Sequence, residues 1–178
     1  LLRAMSCMHA DGDHSNASLV IIGGDPSATQ ENMTDEMARL QRMVKDLKID
    51  NTVLFLGKKN QDSLPYYYSA ADVLVMPSLY ESFGMVALEA MACGTPVIAS
   101  NVGGLSHLVE NGVTGYLIKN GDWADLCEKL SSLIENNLLK STMGSKAQSK
   151  AVGYSWEVIA DSMLKTYNDA MLLSQIRD

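Results

Sequence analysis

The sequence predicts an α/β protein, a Rossmann-like parallel sheet sandwiched by helices. Three observations carry this: five apolar runs of strand length, helical segments with one apolar stripe between them, and glycine-bearing loops directly after most of the runs. Runs apolar at nearly every position suit strands covered on both faces. Strand–helix alternation with right-handed crossovers then gives a single parallel sheet.

The elements follow in order. The chain opens on Leu1-Leu2-Arg3-Ala4-Met5, without an initiator Met or the charged, apolar, small-residue order of a signal peptide, and reads as a fragment starting inside a helix. Ser18-Leu19-Val20-Ile21-Ile22 is the first strand, closed by Gly23-Gly24-Asp25-Pro26. Over 34–48, Met37, Leu40, Val44 and Leu47 recur at spacings of three and four, opposite Glu36, Arg39 and Lys45, which predicts a helix packed on the sheet. Val53-Leu54-Phe55-Leu56 is the second strand, followed by Gly57-Lys58-Lys59. Tyr66-Tyr67-Tyr68, after Pro65, fall in a short amphipathic helix whose rings pack on the sheet.

Val73-Leu74-Val75-Met76 is the third strand. The loop 77–84 leads from it directly into a helix, Met85-Val86-Ala87-Leu88-Glu89-Ala90-Met91-Ala92-Cys93, stopped by Gly94 with Pro96 just beyond. Val97-Ile98-Ala99 and Gly115-Tyr116-Leu117-Ile118 complete the strands, with Asn101-Val102-Gly103-Gly104 between them. Leu126, Leu130, Leu133 and Ile134 mark a helix over 122–136. A last helix over 158–173 follows Trp156, which is expected to anchor it. No repeat or internal boundary divides the chain, so residues 1–178 form one domain.

At 178 residues a domain buries enough surface to fold without disulfides or a metal. Cys7, Cys93 and Cys127 are odd in number and widely spaced, which writes neither a disulfide framework nor a CxxC metal site, and a reducing cytoplasm is the expected home. Peripheral attachment of a full-length protein to a membrane stays open, but no apolar run approaches the roughly 20 residues of a spanning helix. Fourteen basic and 21 acidic residues give a net charge of −7, with no basic stripe interleaved with aromatics, so nucleic acid is not an expected partner. An anionic ligand is not excluded, because helix N-termini bind phosphate through backbone N–H groups.

In a parallel sheet, ligands bind at the carboxyl ends of the strands, so the loops after the runs are the candidate site. The helix that opens at residues 83–85 presents unpaired N–H groups and about half a positive charge to that crevice, a seat for a diphosphate. Glu81 and Glu89, with seven residues between them, bracket the seat and could accept hydrogen bonds from hydroxyls on either side of a phosphate. For Glu89 the plainer alternative is a solvated helix acid. Against it, Ala87, Leu88, Ala90 and Met91 surround it, where an unpaired acid is costly.

The stretch Glu81-Ser82-Phe83-Gly84-Met85-Val86-Ala87-Leu88-Glu89-Ala90-Met91-Ala92-Cys93-Gly94-Thr95-Pro96-Val97-Ile98-Ala99 resembles the E-x7-E signature region of glycosyltransferase family 4, retaining enzymes of GT-B architecture with two facing Rossmann-like domains. Ser69-Ala70-Ala71-Asp72-Val73 before it, and Val102-Gly103-Gly104 and Asn111-Gly112-Val113-Thr114-Gly115-Tyr116-Leu117 after it, agree with the same pattern. Within that family the wording is closest to members making glycosyl-inositol and sucrose-type products.

The resemblance implies a hexosyltransferase domain that binds a nucleoside-diphosphate sugar. Glu81 would be catalytic, touching donor-sugar hydroxyls near the reacting carbon. The backbone of Ser82, Phe83, Gly84, Met85 and Val86 would hold sugar oxygens and the diphosphate, with Gly23 and Gly24 close to the nucleotide. Glu89 would hold the ribose, and Gly57, Lys58 and Lys59 would line the base. It further implies that the domain is cut at its N-terminal edge, before its first strand and the Arg and Lys that grip the donor phosphates. An acceptor sugar, polyol or lipid-linked sugar would be held, with the catalytic His, by a missing N-terminal domain, leaving this fragment inactive alone.

No cofactor and no required metal are expected, because no Asp-x-Asp pair ends a strand. The acidic stretch 11–16 lacks the twelfth-position Glu of a calcium loop. His9, His14 and His107 share no ligand spacing and read as structural or exposed. The alternatives are a sugar-nucleotide 2-epimerase of the same architecture and a non-catalytic nucleotide-binding module. UDP-glucose, GDP-mannose and UDP-N-acetylglucosamine all stay open as donors.

Overall fold

A computed structural model describes residues 1–10, 16–24 and 34–175. The acidic stretch 11–15 with His14, and Asp25-Pro26 of the first glycine loop, lie outside the described residues. In chain order the elements are α1 (Leu2–Ala10), β1 (Leu19–Ile22), α2 (Asp35–Asp46), β2 (Val53–Gly57), α3 (Leu64–Ala70), β3 (Leu74–Met76), α4 (Met85–Ala92), β4 (Val97–Ser100), α5 (Leu105–Leu108), β5 (Gly115–Ile118), α6 (Trp123–Glu135), α7 (Asn137–Val152) and α8 (Trp156–Gln175). Each of the five apolar runs is a strand, and the three strand ladders among the described residues are parallel.

The central layer departs from expectation in one respect. Instead of a single sheet there are, among the described residues, two, β1-β2 and β3-β4-β5, with no ladder joining them. The edges of β1 and β3 face a cavity of about 1210 Å³, which Leu19, Val20 and Ile21 line on one side and Leu74, Val75 and Met76 on the other. Among the described residues, both-face coverage is complete only for β4, whose four residues are all buried. Val20 of β1 and Leu54 of β2 are exposed.

Strand geometry explains how β4 organises two cores, since successive side chains leave a strand on opposite faces. Ile98 packs on one face with α1, α6 and Ile118. Val97 and Ala99 pack on the other with Ala87, Ala90 and Met91 of α4 and Ala147 of α7. The result is helix, sheet, helix, with α4 and α7 tightly apposed. A Cβ on Gly144 of α7 would collide with the carbonyl of Gly94, so the glycine permits that approach.

Caps set the helix ends. Thr34 Oγ1 accepts from the Met37 N–H and Asp122 accepts from the Asp125 N–H, opening α2 and α6. Asn136 opens α7 in the same way, a helix the apolar periodicity did not announce because small residues dominate its buried face. The expected anchoring of α8 by Trp156 is not found: the indole is 80% exposed. Tyr154, at the corner before α8, makes the inward contact instead, its ring edge-on to Phe83 with centroids 5.9 Å apart. α8 leaves Met163, Leu164, Tyr167, Met171 and Leu172 largely exposed, and no helix among the described residues is long and apolar enough to cross a membrane.

Candidate functional site

The loops at the carboxyl ends of the strands are tied together in two pairs. After β1 and β2, Gly23 donates its N–H to the carbonyl of Gly57 and Lys58 donates its N–H to that of Gly24, both at 3.0 Å. Gly23 has φ +138°, a conformation that favours glycine, and no atom of the described residues lies within 4 Å of where a Cβ would stand. After β3 and β4, Gly104 donates its N–H to the Glu81 carbonyl at 2.9 Å, and the Gly103-Gly104 backbone lies so close to residues 81–83 that a Cβ on either glycine would collide with it. These glycines are packing requirements of the 77–84 loop.

α4 begins at Met85, directly after that loop, as the sequence predicts. Gly84 caps it in the left-handed conformation, φ 99°, with Leu105 occupying the space a Cβ would need. Leu88 is the first residue whose N–H reaches back within the helix, to the Gly84 carbonyl at 3.0 Å. The amides of Met85, Val86 and Ala87 therefore stand at the positive end of the helix dipole without an intrahelical acceptor. Leu79, Tyr80, Ser82, Phe83, Met85 and Val86 are all exposed around it.

Glu81 is half-buried, and its Oε1 accepts from Gly84 N–H at 3.2 Å and more loosely from Phe83 N–H at 3.4 Å. The acid thus already occupies two of the five backbone donors that the sequence assigned to a ligand. Among the described residues no acceptor takes up the N–H of Ser82, Met85 or Val86. A carboxylate here complements the dipole of α4 and fixes the loop's negative charge beside the helix end.

Glu89 lies one turn into α4 and is half-buried. It is not an unpaired acid: the phenol of Tyr68 donates to its Oε2 at 2.8 Å. Tyr68 is 7% exposed, and its own carbonyl accepts from the Thr95 hydroxyl at 2.6 Å. Burial, and after it the hydrogen bond and charge of Glu89, push this phenol above the usual tyrosine range, so it remains a neutral donor. One residue earlier, Lys59 Nζ lies 6.0 Å from the centroid of the Tyr67 ring. Helix α3 thus touches the 57–59 loop with one tyrosine and Glu89 with the next.

The sequence reading placed both acids at the α4 seat but did not find the groups that hold them. Of the three tyrosines expected to pack on the sheet, Tyr68 does pack with Val97 and Ala99 while Tyr66 is exposed, and no spacing rule connects Tyr68 to an acid 21 positions later. Tyr154 gave no signal at all. Lys58 is exposed, His107 is an exposed residue of α5, and His9 bonds the Met5 carbonyl through Nδ1 at 2.7 Å. Among the described residues, no three His, Cys, Asp or Glu side chains are grouped as a metal site.

Comparison with known proteins gives a consistent picture. Residues 1–150 match the family model described as Glycosyl transferases group 1. The chain is 37% identical over 169 residues to the D-inositol 3-phosphate glycosyltransferase of Corynebacterium jeikeium, covering 95% of this chain and 39% of that protein. Among solved structures, sucrose-phosphate synthase from Thermosynechococcus elongatus superposes with a TM-score of 0.80 at 33% identity, covering 97% of this chain and 42% of that one. Anabaena HepE, solved in complex with UDP-glucose, superposes at 0.77 with 27% identity, covering 95% and 44%. The chain spans about two-fifths of the length of these relatives.

Proposed function

The chain belongs to the Glycosyl transferases group 1 family, and from that membership we propose that it is the domain that holds a nucleoside-diphosphate sugar during retaining hexosyl transfer. The observation that carries the reading is the α4 amino end, where Met85 and Val86 present backbone donors beside a loop fixed by Glu81, Gly103 and Gly104. These donors and the helix dipole receive the diphosphate. As the bond from the sugar's reacting carbon to the diphosphate breaks, its electron pair leaves with the phosphate, and the same dipole stabilises that growing charge. The acceptor hydroxyl oxygen bonds the carbon on the same face, and its proton passes to the departing diphosphate oxygen.

Within this reading Glu81 orients the sugar with its free oxygen, Glu89 accepts from the ribose, and the paired 23–24 and 57–59 loops border the nucleotide. UDP-glucose is the first donor to test, since HepE was solved with it. The acceptor, a sugar, polyol or lipid-linked sugar, belongs to chain outside residues 1–178.

The cavity between β1 and β3 supports the same division. Among the described residues, β1 and β3 are parallel-sheet edges facing each other across an apolar gap with no strand between them, the arrangement one inserted parallel strand satisfies on both sides. We assign that strand to chain preceding residue 1, with α1 as the right-handed crossover into β1. Incubating the full-length protein with a panel of UDP- and GDP-sugars and measuring release of nucleoside diphosphate, with and without candidate acceptors, tests the function. Diphosphate released from none of them under any acceptor rejects the transferase reading for this chain. An epimerised sugar nucleotide as the only product points to the 2-epimerase.

A further inference from the structure

We propose that Tyr68 positions Glu89 for the ligand, fixing one carboxylate oxygen so that the other is presented to a ribose hydroxyl. The inference rests on the reading of Glu89 as the ribose acid and adds the residue that makes the acid competent. Three observations carry it.

First, the phenol donates to Oε2 of Glu89 at 2.8 Å, and among the described residues no bond reaches Oε1. A glutamate with both oxygens in water samples many rotamers, and ordering it on binding costs side-chain entropy; one pinned by a buried donor has already lost that freedom. Second, Tyr68 is itself fixed. It is 7% exposed, and its backbone is held across 27 positions by the buried Thr95, beyond the far end of α4. The phenol is therefore a rigid reference that the α3–α4 packing sets, not a mobile surface group. Third, Glu89 follows Met85 by four residues, placing both on one side of α4, and helical side chains lean toward the amino end. The free oxygen is thus carried toward the helix end where the diphosphate seat lies.

A tyrosine bonded to an acid could also serve stability alone, so the test must separate the roles. The full-length protein, Tyr68→Phe, Glu89→Gln and the double variant are titrated calorimetrically with UDP and with 2′,3′-dideoxy-UDP. Positioning predicts that Tyr68→Phe weakens UDP about three- to tenfold, the weight of one net hydrogen bond, while binding of the dideoxy nucleotide is unchanged. It also predicts that Tyr68→Phe adds nothing once Glu89 is Gln, and that donor KM rises with kcat nearly constant. The ratio of the two nucleotide affinities is a property of the folded molecules, so lost stability alone leaves it at the wild-type value. If Glu89→Gln weakens UDP but Tyr68→Phe leaves that ratio unaltered, the ribose reading stands and the positioning role is overturned. If Glu89→Gln itself has no effect, the ribose reading fails and takes this inference with it.

Discussion

Gly104 donates its backbone N–H to the carbonyl oxygen of Glu81 at 2.9 Å, so the loop after β4 holds the loop after β3 by main chain alone. A Cβ on Gly104 would meet the Phe83 backbone, which has no flexible end to swing aside. Gly104→Ala should therefore push residues 81–83 outward, costing about 1–3 kcal/mol as overpacking and weakening UDP along with stability. Denaturant unfolding and calorimetric titration of one preparation check both effects.

The α4–α7 contact gives a contrasting case, because it lies at the other end of the helix. Alanine at position 144 gains about 1 kcal/mol in helix propensity, but its methyl would strike the Gly94 carbonyl, a clash of about 1–3 kcal/mol or more. Gly144→Ala should lower the unfolding midpoint in urea while the folded protein binds UDP within about twofold of wild type.

The pH dependence of stability should carry a signature of Tyr68. Its phenol is pushed up by burial and then by Glu89, so the folded state favours the protonated form relative to an ordinary tyrosine near pH 10. That stabilisation is complete below the ordinary value and is lost as pH rises from there through the higher folded value. The stability advantage of wild type over Tyr68→Phe should be flat from pH 7 to about 9.5 and shrink above that. Urea unfolding of both proteins across this range provides the measurement.

How far the sequence reached depended on the range of the interactions involved. All five strands were legible because each is a local apolar run closed by turn residues, and α4 was legible from Gly84 and Gly94 at its ends. Short-range signals did not reveal that β1 and β3 stay apart, since strand pairing is a long-range property and every run reads alike. Both acids were visible as Glu81 and Glu89 at a helix start. Their partners were not: Tyr68 reaches Glu89 across 21 positions and Tyr154 reaches Phe83 across the fold. Trp156 misled because a large aromatic before a helix suggests an anchor, whereas the neighbouring Tyr154 turns inward and the indole stays in solvent.

The strand assigned to the gap between the sheets gives a stability test. Ile21 is only half-buried here, beside the cavity. With a strand inserted it becomes a core residue, and Ile21→Ala in the full-length protein should cost about 2–5 kcal/mol. A cost below about 1 kcal/mol by denaturant unfolding would leave the gap unfilled and count against the strand.

The central claim is that the α4 end holds a nucleoside-diphosphate sugar, with Glu89 on the ribose and Glu81 on the sugar. Titrating UDP into the full-length protein and its Glu89→Gln and Glu81→Gln variants is the most direct measurement. UDP has the ribose and lacks the hexose, so its affinity should fall about ten- to hundredfold with Glu89→Gln, on the order of a hydrogen bond to a charged group, and stay nearly intact with Glu81→Gln. Equal UDP affinity in Glu89→Gln and wild type would contradict the account, leaving Glu89 as a structural acid paired with Tyr68.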